Sequence, residues 1–193
     1  MNAQSPEERV SQLPIRLTLI RLVCIPAVVI CLYLQGPLSS FLAALFVGMA
    51  FITDILDGYF ARKYGAVTVL GKFLDPLADK ILVCLTMIML IPLGRIYVWM
   101  VMVIIARELA ITGLRSIAVS AGIVIQASAL GKYKTIFQSV AIIGLCLHYE
   151  YFGVNFHTVG MFFLWIAIFM TIWSGVAYFR NFYVVFFPKR KGP

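Results

Sequence analysis

Six apolar stretches, near residues 15–34, 40–63, 68–91, 96–119, 132–150 and 158–184, occupy most of this chain. Roughly 20 apolar residues are what an α-helix needs to cross the hydrocarbon of a bilayer, so each stretch has the length of a span. Of the 193 residues, 62% are hydrophobic and 12% charged, and mean hydropathy is +0.98; a soluble domain is about half apolar and about a quarter charged. That balance excludes a soluble globular enzyme. A disordered or collagen-like chain is excluded as well, because 14 Gly and 8 Pro are too few and 15 Phe too many. The expected fold is an all-α integral membrane domain of six transmembrane helices over 15–186, with a juxtamembrane segment at 1–14 and a basic tail at 187–193.

Breaker clusters separate the stretches: Gln35-Gly36-Pro37, the Gly65 region, Pro92-Leu93-Gly94, the run from Gly122 to Gly131, and Gly153-Val154-Asn155. Ahead of the first stretch, Ser5-Pro6-Glu7-Glu8 combines a cap residue, a proline at the first helical position and a glutamate three residues after the cap. This predicts a short amphipathic surface helix at about 5–12. The first apolar run begins only after Pro14 and has no small-residue cleavage site before Gly36, so no cleavable signal is expected.

The net charge of +8 must be read by position. Of 16 basic residues, Arg95 alone falls in a connection between an odd-numbered span and the next even one. Loops rich in Lys and Arg stay cytoplasmic, so both termini are expected on the cytoplasmic side, and Lys189-Arg190-Lys191 reads as an anchor beside anionic lipid rather than a nucleic-acid site. Cys24, Cys31, Cys84 and Cys146 all lie in apolar stretches without CxxC spacing, so neither a disulfide framework nor a zinc site is expected. His148 and His157 stand too far from other ligands in sequence to suggest a metal set.

Four of the eight acidic residues fall between Asp54 and Asp79, inside strongly apolar sequence. Charges at membrane depth are costly and call for a function. On the second helix Asp54, Asp57, Gly58, Ala61 and Arg62 share one face; on the third, Gly71, Asp75 and Asp79 do so. Pro76 either starts the third helix after an Asp75 cap or kinks a helix begun near Thr68, and the kink keeps Gly71 on the stripe. Joined by a short turn, the two helices run antiparallel and bring four carboxylates toward one cavity. Four negative charges together repel, and two divalent cations would balance them. Hard oxygen donors favour Mg²⁺ or Mn²⁺, and a paired-metal site suits phosphoryl displacement. Gly58, Ala61 and Gly71 clear space beside the metals, and Arg62 offers a fork to phosphate.

Read as spacing, D54-x2-D57-G58-x2-A61-R62-x8-G71-x3-D75-x3-D79 resembles the full signature of the CDP-alcohol phosphotransferases. The resemblance extends to Leu17-Thr18-Leu19-Ile20-Arg21, to Ala106-Arg107-Glu108 with Thr112 and Leu114-Arg115, and to Gly131-Lys132-Tyr133-Lys134-Thr135 with Gln138. These segments look like the branch of the family whose acceptor is glycerol 3-phosphate. Ile15 departs from that branch, which usually carries Asn there.

The resemblance implies a six-span enzyme, usually a homodimer; the compactness of the chain and the absence of a transit peptide lead to the expectation of a bacterial inner membrane, and the charge map to a site on the cytoplasmic side. The resemblance also implies transfer of the phosphatidyl group from CDP-diacylglycerol to glycerol 3-phosphate, releasing CMP, with serine, inositol phosphate or phosphatidylglycerol as alternative acceptors. Asp54, Asp57 and Asp75 would chiefly bind metal, with Asp79 a further ligand and the candidate base. Gly58, Ala61, Arg62 and Gly71 would receive the CDP-lipid. No Ser, Cys or His near the signature is placed as a covalent nucleophile, which favours direct transfer. From the charge map, Thr18, Arg21, Arg107, Arg115, Lys132 and Lys134 share one depth and are candidates for the acceptor phosphate. Intramembrane carboxylates also mark cation paths, but the chain shows neither a second acidic cluster nor inverted repeats, so a transporter is the weaker reading.

Overall fold

In a computed structural model of the chain, the backbone is described for residues 6–64, 69–122 and 129–186, and side chains within 20–56, 77–122 and 133–184. Six helices follow one another: α1 Pro6–Leu34, α2 Pro37–Tyr64, α3 Val69–Leu90, α4 Val98–Ser120, α5 Ala129–Leu147 and α6 Phe156–Phe186. Between α5 and α6 lies a small antiparallel hairpin, β1 Glu150–Tyr151 and β2 Val154–Asn155.

The breaker residues act where their backbone chemistry is needed. Gln35 and Gly36 take φ of 47° and 126°, reversing the chain before Pro37 starts α2 at the position where a missing N–H costs nothing. Ser39 Oγ and Ser40 N both bond the Gly36 carbonyl, at 3.1 and 2.9 Å. Gly122, with φ 73°, follows the last turn of α4. In the hairpin Phe152 and Gly153 have φ of 55° and 76°, the twin positive values of a type I′ turn. Asn155 Oδ1 then accepts from Thr158 N at 3.0 Å and caps the start of α6.

Two expectations change. The surface helix expected at 5–12 is not a separate element, because α1 continues from Pro6 through Pro14 to Leu34. A proline removes one intrahelical bond, and the long apolar run that follows is enough to carry the helix across it. The two-strand hairpin replaces a plain break at Gly153, since sequence periodicity has too little length to register strands of two residues. Pro76 lies inside α3, which begins at Val69, in keeping with a helix that starts ahead of the proline.

Among the described residues α1 packs against both α2 and α3, while α2 and α3 touch each other only slightly. α5 bridges α2 and α6, and α4 leans on α6. The core is drawn from every helix, with Leu32, Val47, Met87, Ile104, Leu145 and Leu164 fully enclosed. The outward faces remain apolar: Val23, Ile55, Met102, Trp165, Phe169 and Val176 are all more than half exposed. Such a surface suits lipid, not water. Two helical stretches, Pro37–Leu56 and Phe156–Val184, are long and apolar enough to cross a membrane, and Ile20–Leu34 and Tyr133–Leu147 are shorter apolar stretches.

The end of the bundle that carries the hairpin is closed by polar contacts. The fold brings His148 and His157 together, Nδ1 to Nδ1 at 3.3 Å, although nine residues separate them. Burial, then the nearby charge of Arg95 and the His157 ring, hold the His148 imidazole below its ordinary value. Two imidazoles alone are not a metal site, and among the described residues no group of three His, Cys, Asp or Glu side chains gathers.

Candidate active site

α1 supplies the first polar contact of the site. Arg21, fully buried, points its Nη1 at Asp54 Oδ1 on α2, 3.1 Å away, and Asp54 keeps 44% of its side chain exposed. A buried guanidinium paired with a half-exposed carboxylate fixes the position of that carboxylate while leaving it reachable. Asp79 on α3 is half-buried and lies within electrostatic reach of Asp54, Arg21, Lys80 and Lys134. Two of the four signature carboxylates therefore do converge, and α1 stands between the helices that carry them. Asp57 and Asp75 belong to α2 and α3, but their side chains lie outside the described residues, as do those of Gly58, Ala61, Arg62, Gly71, Thr18 and Lys132.

Asp79 opens onto a small cavity of about 50 Å³ whose lining also includes Lys80, Glu108, Lys134, Thr135 and Gln138. Its lining joins apolar side chains to a few converging polar groups, as ligand sites do. Glu108 on α4 receives two cations on one oxygen: Arg107 Nη1 at 3.1 Å and the ammonium of Lys134 from α5. Arg107 Nη2 continues to Ser174 Oγ on α6 at 2.8 Å. Lys80 Nζ donates to Thr112 Oγ1, and Thr112 Oγ1 donates to the Glu108 carbonyl at 2.7 Å. The network thus ties α3, α4, α5 and α6 around the cavity.

Of the six residues expected at the acceptor phosphate, Lys134 lines the cavity, Arg107 stands behind it, Arg21 is on Asp54, and Arg115 is exposed on α4. Lys80, Glu108 and Gln138 line the cavity without having been given a role in the sequence reading. Glu108 and Gln138 lie in the segments that carry the family resemblance, and Lys80 follows Asp79 directly, so the signal lay beside the signature but not within it.

What these elements define is a membrane-associated, all-helical protein in which Asp79, within reach of Asp54, lines a cavity shared with Lys80 and Lys134. Over residues 11–173 the sequence matches the CDP-alcohol phosphatidyltransferase family. It is 40% identical over 181 residues to the CDP-diacylglycerol--glycerol-3-phosphate 3-phosphatidyltransferase of Bacillus subtilis, covering 88% of this chain and 94% of that one. The enzyme of the same description from Rickettsia bellii is 40% identical, covering 87% and 93%. A probable phosphatidylglycerophosphate synthase of Mycobacterium tuberculosis is 38% identical, covering 88% and 81%. The chain belongs to the CDP-alcohol phosphatidyltransferase family.

Proposed function

We propose that this protein transfers the phosphatidyl group of CDP-diacylglycerol to glycerol 3-phosphate, forming phosphatidylglycerol phosphate and CMP in phospholipid synthesis. The observation that carries this reading is that Asp79, Lys80 and Lys134 line one cavity, with Asp54 within electrostatic reach of Asp79. A carboxylate suited to take a proton thus faces cations suited to hold a phosphorylated acceptor. The names of the relatives from Bacillus subtilis and Rickettsia bellii support the same donor and acceptor.

Asp54 and Asp79 offer only carboxylate oxygens and come close enough to repel each other, which fits hard divalent cations such as Mg²⁺ or Mn²⁺. Asp54, Asp57 and Asp75, with Asp79 in part, would hold two such ions. When bound, they neutralise charge on the donor pyrophosphate. Arg21 keeps Asp54 in place, and Gly58, Ala61, Arg62 and Gly71 make room for and grip the CDP-lipid. The primary hydroxyl of the acceptor attacks the β-phosphorus, the bond to the bridging oxygen breaks, and CMP leaves. Asp79 accepts the hydroxyl proton. Arg107, Arg115, Lys132 and Lys134 keep the surroundings of the acceptor positive, and Thr18 offers its hydroxyl to the acceptor phosphate.

Six spans, a cytoplasmic site in a bacterial inner membrane and a homodimer complete the proposal. α3 and α4, of 22 and 23 residues, are long enough at 1.5 Å per residue to cross a bilayer. Their hydropathy is lowered by the charged site residues that they carry.

The test is CMP release from CDP-diacylglycerol with and without glycerol 3-phosphate, and with EDTA. Strict dependence on both acceptor and divalent ion is expected. Asp79→Asn should lower turnover by about 10² to 10⁴ while binding of the CDP-lipid persists. Preference for serine, inositol phosphate or phosphatidylglycerol would overturn the assigned acceptor, and equal loss of CDP-lipid binding in Asp79→Asn and Asp54→Asn would overturn the role of Asp79 as base.

A further inference from the structure

The cations around the cavity are not equivalent. Lys134 is almost wholly buried, and the Glu108 carboxylate meets its charge. Arg107 shares that carboxylate and turns its other nitrogen toward α6. Arg21 is engaged with Asp54. Lys80 differs from all three, because its partner is a neutral hydroxyl. Among the described residues no carboxylate lies within ion-pair distance of its ammonium.

The hydroxyl is itself oriented. Thr112 gives its single proton to the Glu108 carbonyl, so a lone pair faces Lys80 and the ammonium keeps two further N–H donors. This tether holds Lys80 on the α4 side of the cavity. An ammonium that lines the cavity, with a neutral hydroxyl as its hydrogen-bond partner and Asp79 only within longer electrostatic reach, has donors to spare for a charged ligand. Asp79, one residue earlier in the chain, lines the same cavity.

We propose that Lys80 is a direct ligand of the acceptor's phosphate, held ready by Thr112, and that Lys134 mainly keeps Glu108 neutralised. This inference rests on the transfer to glycerol 3-phosphate proposed above. One end of the acceptor then lies at Asp79, where the hydroxyl loses its proton. The other end lies at Lys80, on the α4 side of the cavity.

The full-length enzyme, purified in detergent, tests this through steady-state kinetics of wild type, Lys80→Gln and Lys80→Arg with each substrate varied in turn. Lys80→Gln is expected to raise KM for glycerol 3-phosphate about ten-fold or more, the effect of one charge-assisted hydrogen bond, and to leave KM for CDP-diacylglycerol within about two-fold. Lys80→Arg should recover most of the loss. An unchanged acceptor KM in Lys80→Gln, beside a wild type that saturates with glycerol 3-phosphate, overturns the role of Lys80 alone. A higher KM for CDP-diacylglycerol instead moves Lys80 to the donor and also overturns it. Equal losses for both substrates that Lys80→Arg does not repair assign Lys80 to packing, with the same consequence. Wild-type CMP release that ignores glycerol 3-phosphate overturns the proposed reaction and this inference together.

Discussion

Arg95 donates to the Cys146 carbonyl at 2.8 Å, to the Leu145 carbonyl at 3.4 Å and to Ser40 Oγ at 2.8 Å, with its guanidinium 5.7 Å from the ring centre of Tyr149. Those carbonyls belong to the last turn of α5, where no intrahelical donor remains and the helix dipole is negative. One buried fork therefore caps α5 and reaches Ser40 near the start of α2. Arg95→Gln should cost about 1.5–3 kcal/mol, the range for hydrogen bonds to a charged group, and Arg95→Lys should recover little because an ammonium lacks the fork. Thermal unfolding in detergent checks both, with the catalytic constants of the folded fraction unchanged because the site lies at the opposite end. Charge position along the sequence singles out Arg95 as the exception among 16 basic residues, but its partners lie about 50 positions away and are invisible to a pattern of local spacing. The same reason hid Lys80 and Glu108. The aspartates were legible because their partners recur at helical intervals within one window.

Helices α5 and α6 meet backbone to backbone. A Cβ on Gly160 would stand 2.7 Å from Leu145 N and 2.9 Å from the carbonyl carbon of Gly144; one on Gly144 would stand 2.9 Å from Gly160 Cα. Backbone cannot yield as a flexible side chain can, so even a methyl group forces the helices apart. Close approach through small residues is a usual means of packing helices in lipid, where no hydrophobic force drives them together. Gly160→Ala should lower stability by about 1–3 kcal/mol, the usual cost of overpacking. Gly175→Ala, whose nearest neighbour would be Arg107 Cγ at 3.5 Å, should be nearly neutral. Chemical denaturation of the two variants side by side gives the comparison, and equal stability would remove the crossing from the account. Helix positions were readable from Gly, Pro and Asn breaks because those residues act on their own backbone. The order of packing was not, since the placement of α1 between α2 and α3 depends on which apolar faces match.

At the scale of the whole molecule, orientation follows from two features of unequal reach. Apolar outward faces place the bundle in lipid but are indifferent to direction. Under the proposed topology the basic residues would set the direction, and the buried Arg95 would weaken this asymmetry little because its charge is held inside the protein. If the proposed six spans hold, the connection after α3 and the hairpin after α5 would face outward, while the end of α4 and Arg190 would face the cytoplasm. Tyr97, Glu150 and Ala121 are all exposed, so a cysteine at each can meet a reagent. In a background where the four native cysteines are replaced by alanine, Tyr97→Cys and Glu150→Cys should react with a membrane-impermeant maleimide in intact bacterial cells. Ala121→Cys and Arg190→Cys should react only after the membrane is opened. Any one of α4, α5 or α6 failing to cross would put two successive positions in this series on the same side, so the pattern of labelling identifies the helix at fault. Complete reversal would keep the α4, α5 and α6 crossings, move the aspartates and Lys80 to the outer face, and leave the positive-inside reading without support.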